Sequence, residues 1–494
     1  MALIKFGPRT SMVLAFLTAS FSIAILSYDA SMVNNLNINA RYLERNAGAV
    51  VTGPFLGAWI DKWGRIKSIA CGNLLVILGV ILQASAESWA QFIVGRFFIG
   101  VATTVAATAV PMWIAELSPP KTRQLISGLV MCAVPFTAIL VCFIVMGIYD
   151  AGSDWAWRGA VLGEATGPLL GLCLLPFVDE SPRWLVSKGQ REKAGEIIAR
   201  LHARGNAQSE IVEVELKEII DTLEYESSHG GTWKDLISPA PNRRRFIIAA
   251  LTNTFYQIVG ANMILYFLSF VIFSAGVTDI WDTLLINMGL IIWQFLVSLF
   301  GVFSIHRLGR RPSLITGTAG IIVCLVLMSI LVERGQTTGD IRFGIGALVI
   351  VGVFIFFAST SWMILAYTYP PEILKFSQRG KGVAASQAIG FAISFINLYT
   401  SPIALEKIQW KYYAITAGWD TVILIVIIAL FKETKGKTLE QIDEIFEHVT
   451  HSDHSVMEVL NGHTISPQVS AGQDGKDQGL KSKMGQVSVT ATDA

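Results

Sequence analysis

Asp29 and Arg96 are ionisable residues set inside long apolar stretches. An ionised side chain in the bilayer interior costs about 2.5–3.5 kcal/mol even on the mildest scales, so such a residue implies a function and a partner. A buried carboxyl alone is neutral at pH 7; a guanidinium nearby stabilises the anion and brings proton exchange towards the physiological range. At 1.5 Å per residue, Asp29 lies ~25 Å from the inner end of its stretch. Arg96 lies ~9 Å from the outer end of its own. Both fall in the outer third of a membrane and can meet there. Two readings stay open: a proton carrier with its counter-ion, or a static ion pair that ties two helices together.

A second group of residues suits recognition of a hydroxylated molecule. Gln257, Asn262 and Gln294 are amides in the middle of apolar stretches. Each amide offers both donors and acceptors, as sugar hydroxyls require. Tyr256, Tyr266, Trp293 and Tyr367 are aromatic faces on which a ring can stack. The competing reading is hydrogen bonding between helices, worth about 0.6 kcal/mol on average. Glu164 stands near the outer end of the sixth stretch, where a snorkelling or helix N-terminal charge is expected; binding a cation or proton is the alternative.

The elements that carry these residues are helices across a membrane. Of the 494 residues, 52% are hydrophobic and 15% charged, against about 25% charged in a soluble domain. Runs such as 246–272 and 411–431 match the roughly 20 residues needed to cross the hydrocarbon core. Twelve spans are predicted, the first at 12–36, the second at 42–60 and the sixth at 158–178. The basic residues Lys62, Arg65, Lys67, Lys121, Arg123, Arg307, Arg310, Arg311, Lys375 and Arg379 fall in loops on one side, so both termini are expected in the cytoplasm. Residues 1–182 form one six-helix half and 246–446 the other. Residues 183–245 hold 21 of the 75 Lys, Arg, Asp and Glu residues, and two helically periodic stretches there, 191–203 and 210–225, predict a cytoplasmic helical linker. Residues 447–494, poor in large apolar side chains, read as a disordered cytoplasmic tail.

The composition also excludes functions. A net charge of +1 gives no attraction to nucleic acid. The five cysteines lie in apolar runs without metal-ligand spacing. The chain has no phosphate-binding GxxxxGK[ST] loop and no nucleophile–base constellation, so neither an ATP-driven pump nor an enzyme is expected, and no cofactor or metal. The expected partners are a small molecule, protons and membrane lipid, with the protein a monomer.

Three charged phrases occur twice in the same order. Asp61-Lys62-Trp63-Gly64-Arg65 answers to His306-Arg307-Leu308-Gly309-Arg310. Glu116 to Arg123 answers to Glu372 to Arg379, and Glu180-Ser181-Pro182 to Glu433-Thr434-Lys435. A membrane unit of about 250 residues has been duplicated, an architecture that places a site between two halves. Asp61, Gly64, Arg65, Glu116, Arg123, Glu180 and Arg183 gather at inner helix ends of the first half, and Arg307, Arg310, Glu372, Arg379 and Glu433 at those of the second. Ion pairs between these ends can tie the halves, although basic residues belong in inner loops for topological reasons too.

The ordered set of phrases resembles the sugar porter family of the major facilitator superfamily, and most of all its fungal hexose and lactose permeases. Besides the duplicated phrases, Tyr28-Asp29, Gly95-Arg96, Gln257-x-x-Gly260-x-Asn262 and Pro371-Glu372-Ile373-Leu374 carry it. The resemblance covers residues 10–446. It implies the major facilitator fold of twelve helices, and secondary transport of a hexose or disaccharide by alternating access with proton symport, in a plasma membrane. It also implies that Asp29 carries the proton, that Arg96 is its counter-ion, and that Gln257, Asn262 and Gln294 contact the sugar. The inner charges would latch the outward-open state. The chain departs from the family at Met131 and Cys142, where the fifth span usually has glutamines. It departs again at Tyr256, which replaces a glutamine, and at Glu164, where the sixth span usually has one. His306 replaces an acid. Two further readings therefore stay open: a carrier for another organic metabolite, such as an exporter of a fungal secondary metabolite, and a nontransporting sugar sensor.

Overall fold

The protein is described here by a computed structural model covering residues 7–28, 31, 55–148, 155–203, 205–229, 232–260, 279–437, 442 and 446. Among these residues there is no β-strand, and ten helices are long and apolar enough to cross a membrane. Helices are what lipid demands, because each satisfies its own backbone hydrogen bonds.

In the first half, α1 (Pro8–Ile23) lies in a span that runs on to Tyr28. The inner part of the second span is α2 (55–63). Then come α3 (Arg65–Ala84), α4 (Trp89–Leu117), the broken fifth span α5 (Arg123–Met131) and α6 (Ala133–Ile148), and the sixth span α7 (Trp155–Gly163) and α8 (Thr166–Leu174). The helix α4 is the axis of this half and is buried along most of its length, Arg96 and Glu116 included. Small residues let α3 and α4 approach closely: a Cβ on Gly79 would meet the Gly95 carbonyl at 2.8 Å.

The expected linker forms α9 (Pro182–Ser187), α10 (Arg191–His202) and α11 (Glu210–His229). Both stretches with helical periodicity are therefore helices. The second half holds α12 (Ala240–Ile258), α13 (Ile280–Leu308), α14 (Arg310–Thr338), α15 (Ile341–Thr360), α16 (Trp362–Ile373), α17 (Phe376–Ile408) and α18 (Trp410–Leu430). The helices α15 and α16 share one span, broken at Ser361, whose backbone leaves the helical region at φ −128°, ψ −76°. The expected second and seventh spans lie partly outside the described residues, and the tail from 447 lies wholly outside them.

Each half makes the same tight turn at its repeated Gly-Arg phrase. Gly64, between α2 and α3, has φ 95° and ψ 170°; Gly309, between α13 and α14, has φ 102° and ψ 175°. This region of backbone space is open essentially to glycine alone. The turn leaves the first N–H groups of α3 and α14 without helical partners. One carboxylate takes two of them in each half. Glu180 accepts from the N–H of Arg65 and of Ile66, both at 3.1 Å. Glu433 accepts from the N–H of Arg310 and of Arg311, both at 3.0 Å. A Cβ on either glycine would press on that carboxylate, at 2.6 Å from Glu180 Oε2 and 2.7 Å from Glu433 Oε2. Gly64→Ala and Gly309→Ala should each cost about 1–3 kcal/mol for the backbone alone. The expected readout is a lower apparent Tm for the purified protein; an unchanged Tm for both would show that the turn tolerates a side chain.

Candidate functional site

The twice-used phrases converge at the inner helix ends. Arg65 is wholly buried, and its guanidinium grips Glu116 with two hydrogen bonds, Nε to Oε2 at 3.0 Å and Nη2 to Oε1 at 3.2 Å. In the second half Arg310 grips Glu372 in the same way, at 3.0 and 2.8 Å. Paired parallel bonds of this kind are the strong form of an arginine–carboxylate contact. The two halves are then joined across their boundary. Arg379 of α17 donates to Glu116 of α4 at 3.2 Å, and Arg310 of α14 donates to Gln124 of α5 at 2.8 Å. The Phe376 ring lies under two of these cations, 5.0 Å from Arg65 Cζ and 5.7 Å from Arg379 Cζ.

Arg123 and Arg183 are both buried and bear on the linker residue Glu215 through their charge, and Arg183 bears on Glu116 as well. Burial would raise the Glu215 carboxyl, but His202 above all, with these arginines, holds it below the ordinary range. His202 Nδ1 lies 2.6 Å from Glu215 Oε2, and Nε2 lies 3.1 Å from the Leu117 carbonyl, the residue after Glu116. Both ring nitrogens face acceptors, which suits the imidazolium. Sequence reading missed Glu215, His202 and Gln124, since the linker's charges look like a solvated face. Arg307 and His306 are exposed and stand outside the cluster; the Arg307 carbonyl accepts from Lys435 Nζ.

The upper residues are only partly described. Asp29, Asn262 and Tyr266 lie outside the described residues. Arg96 is buried on α4 at 1% exposure. Glu164, expected to snorkel, is instead 2% exposed. It lines a cavity of about 410 Å³ with Tyr28, between α1, the fifth and sixth spans and α13. The Tyr28 hydroxyl donates to the Ala160 carbonyl at 2.8 Å. The expectation failed because Glu164 sits at the junction between α7 and α8, facing α1 rather than the interface.

On the other half, Gln257 is buried near the end of α12, and its carbonyl accepts from Asn397 Nδ2 at 2.7 Å. Ser401 donates to Asn397 Oδ1 at 3.1 Å and shares a 2.9 Å contact with the Tyr412 hydroxyl. Tyr256 and Tyr367 meet edge to face with centroids 5.9 Å apart. Gln294 Nε2 reaches only a sulfur, Met363 Sδ at 3.7 Å, a weak acceptor. Trp293 is 42% exposed and donates to the Gly352 carbonyl on α15, away from this group. Met131 and Cys142 are buried in apolar clusters. The α17 ladder of Asn397 and Ser401 was not singled out from sequence; its only signal is two polar residues four apart on an apolar helix.

Among the described residues, ten apolar helices, a duplicated inner charge cluster and polar groups at helix breaks define a multi-pass membrane protein. The model of the "Sugar (and other) transporter" family matches residues 39–446, and the chain belongs to that family. Among curated relatives, the high-affinity glucose transporter of Kluyveromyces lactis is 29% identical over 420 residues, covering 80% of this chain and 75% of that one. The MFS-type transporter oryC of Aspergillus oryzae is 27% identical over 406 residues, with 80% and 75% covered. The fold matches the proton:xylose symporter XylE bound to 6-bromo-6-deoxy-D-glucose with a TM-score of 0.80 at 21% identity, over 89% of this chain and all of that one. Against the inward-open conformation of XylE from E. coli, over 88% and 98% of the two chains, the TM-score is 0.64 at 21% identity. The expected major facilitator fold is thus found.

Two outcomes follow from the cluster. Arg379→Gln removes one ion pair between the halves while leaving Arg65 on Glu116. It should favour separation of the two halves at these helix ends by about tenfold, or about 1.4 kcal/mol, read as faster labelling of cysteines placed on the inner ends of α4 and α17. An unaltered labelling rate would show that this bond does not hold the state. The second outcome concerns Glu180, between the sixth span and α9. Burial raises its carboxyl, against the Ser181 N–H, the Arg65 charge and the N–H groups of Ile66 and Arg65. An acid raised in one state binds more protons there than where it is hydrated. The closed arrangement should therefore gain as pH falls through the carboxylate range, and Glu180→Gln should weaken that dependence, read by the same cysteine labelling at stepped pH; an unaltered pH dependence would show that Glu180 does not contribute.

Proposed function

We propose that this chain is a proton-coupled carrier that moves a small sugar across the membrane by alternating access. The observation that carries this reading is the closed inner cluster. Arg379–Glu116 and Arg310–Gln124 tie the halves together beneath the polar and aromatic groups of α12, α16 and α17. Such contacts bias one of two states and must break for the other to form. The better match to the sugar-bound XylE than to its inward-open form agrees with a cytoplasm-closed state.

In this reading residues 1–182 and 246–446 are the two rocking halves and 183–245 the linker that follows them. Asp29 exchanges the proton, and Arg96 is its counter-ion. The buried Glu164 belongs to the same outer region, and its carboxylate adds to the field in which that proton moves. Gln257, Asn262 and Gln294 bind hydroxyls; Tyr256, Tyr266 and Tyr367 supply faces. The membrane is the plasma membrane, with both termini in the cytoplasm, and the protein works as a monomer. Glucose transporters of Kluyveromyces lactis and Candida albicans among the relatives support a sugar substrate.

A second reading has its own support. Met131 and Cys142 are buried apolar side chains where the family usually has glutamines, and Tyr256, which also replaces one, packs on Tyr367. An MFS-type transporter stands among the relatives. A less hydroxylated metabolite fits that composition. Uptake into proteoliposomes separates the two, using D-glucose, D-xylose, lactose and a set of aromatic metabolites, each with and without an inward proton gradient. Gradient-driven accumulation of one of the sugars is expected; competition by none of them would overturn the sugar reading. Asp29→Asn should retain exchange of labelled sugar and lose accumulation. Accumulation that survives this change would remove Asp29 from the coupling.

A further inference from the structure

Asp420 lies in the middle of α18 with 0% exposure. Among the described residues, neither carboxylate oxygen has a hydrogen-bond partner. It belongs to none of the repeated phrases and lies on the opposite half from Arg96 and Glu164. An ionised carboxylate buried without a partner is far too costly to persist, so it neutralises by holding a proton. A mid-membrane acid with no structural bond to make is the kind of residue that marks a proton path.

Its position is fixed by two hydrogen bonds between α14 and α18. Ser329 Oγ donates to the Trp410 carbonyl at 3.2 Å, and Arg311 Nη2 donates to the Ile428 carbonyl at 2.6 Å. The helices are antiparallel in this register, which puts Asp420 level with Thr318–Gly320. At that depth α14 is clamped to the break between α15 and α16. Thr318 Oγ1 accepts from Trp362 Nε1 at 3.1 Å, and a Cβ on Gly317 or Gly320 would run into Ser361 or the Phe357 ring. One turn outward, a Cβ on Gly260, just past the end of α12 at φ +75°, would lie 3.5 Å from Thr416 Cγ2. Two helix breaks therefore flank the acid. A rearrangement of either would change what surrounds it.

On α12, Tyr256 is level with Asp420 in the Thr416–Gly260 register, and its ring packs on Tyr367; among the described residues of α14, α17 and α18 the charged and titratable groups are remote along the axis. On α14, Cys324 is about five residues away, ~7.5 Å, and Arg311 about eight, ~12 Å; Arg310, Glu333 and Arg334 lie at the helix ends. On α17, Arg379 and Lys381 lie at the inner end and Glu406 and Lys407 at the outer. On α18 itself, Tyr412, Tyr413 and Lys411 are at least a turn and a half outward.

We propose that Asp420 is a second proton-binding site, loaded in this cytoplasm-closed state and released when movement at the Ser361 and Gly260 breaks admits water to it. The step is a simple ionisation: the carboxylic O–H breaks, the electron pair stays on the carboxylate, and the proton passes to water on the cytoplasmic side. The proposal deepens the proton-coupled reading and rests on it. Its test needs no substrate, so its failure is separable from failure of that reading.

Infrared spectra of the protein in reconstituted bilayers, titrated over pH, read protonated carboxyl groups directly. The wild type should show a carboxylic C=O band that Asp420→Asn removes and Asp29→Asn leaves. In the Arg379→Gln background the midpoint of that band should fall by about one pH unit or more, a tenfold loss of proton affinity. Asp420→Glu should restore a titrating band at a displaced frequency, which guards against a misfolded asparagine variant. No band assignable to Asp420 would overturn the proposal, because the group would then be ionised in the closed state. A band whose midpoint ignores Arg379→Gln would overturn it as well, leaving Asp420 a fixed neutral acid.

Discussion

The packing of the charged helix ends depends on a carboxylate that binds two successive backbone N–H groups at the start of a membrane helix. Glu180 does this for α3, and Glu433 does it for α14. The bond requires a glycine just before the helix, because any Cβ there would occupy the carboxylate's place. It also fixes where the next residue, an arginine, must point. Arg65 and Arg310 are thereby aimed inward at Glu116 and Glu372, on the fourth and tenth spans. One local constraint thus accounts for the glycine, the arginine and both acids, and for their recurrence as separate phrases about 250 residues apart.

Duplication alone would give two independent clusters. The link between them comes from Arg379 and Gln124. Arg379 stands where Arg123 does in the repeat but crosses to Glu116 of the other half, while Ser181 and Thr434 bond Glu116 and Glu372 alike, each within its own half. Arg310 reaches the neutral amide of Gln124. The linker adds a further layer, with His202 joining Glu215 to the carbonyl of Leu117. The helix α10 therefore touches the end of α4 one residue from the Arg379–Glu116 pair, so a displacement of α10 reaches that pair through a single helix.

Much of this was legible in the sequence, and the reasons differ by residue. Gly64, Arg65, Glu116 and Glu180 stood out because repetition marks them, and the linker helices because their periodicity is strong. Glu164 misled, since burial at a helix junction leaves no mark distinguishable from an interfacial charge. Gln124 was hidden because a glutamine beside Arg123 carries no pattern. Asn397 and Ser401 were hidden because their hydrogen bonds go to a helix 140 residues earlier and to Tyr412. Asp420 was hidden for the opposite reason: its importance lies in bonds it does not make, which a sequence cannot display.

The depth of the inner charges has one more consequence. The Arg65 and Glu116 side chains are both 0% exposed, and those of Arg310 and Glu372 only 8% and 6%. Mobile ions screen exposed charges over about 8 Å at physiological ionic strength, but they cannot enter a packed helix bundle. Within the packed arrangement these pairs therefore keep their attraction whatever the salt around the protein.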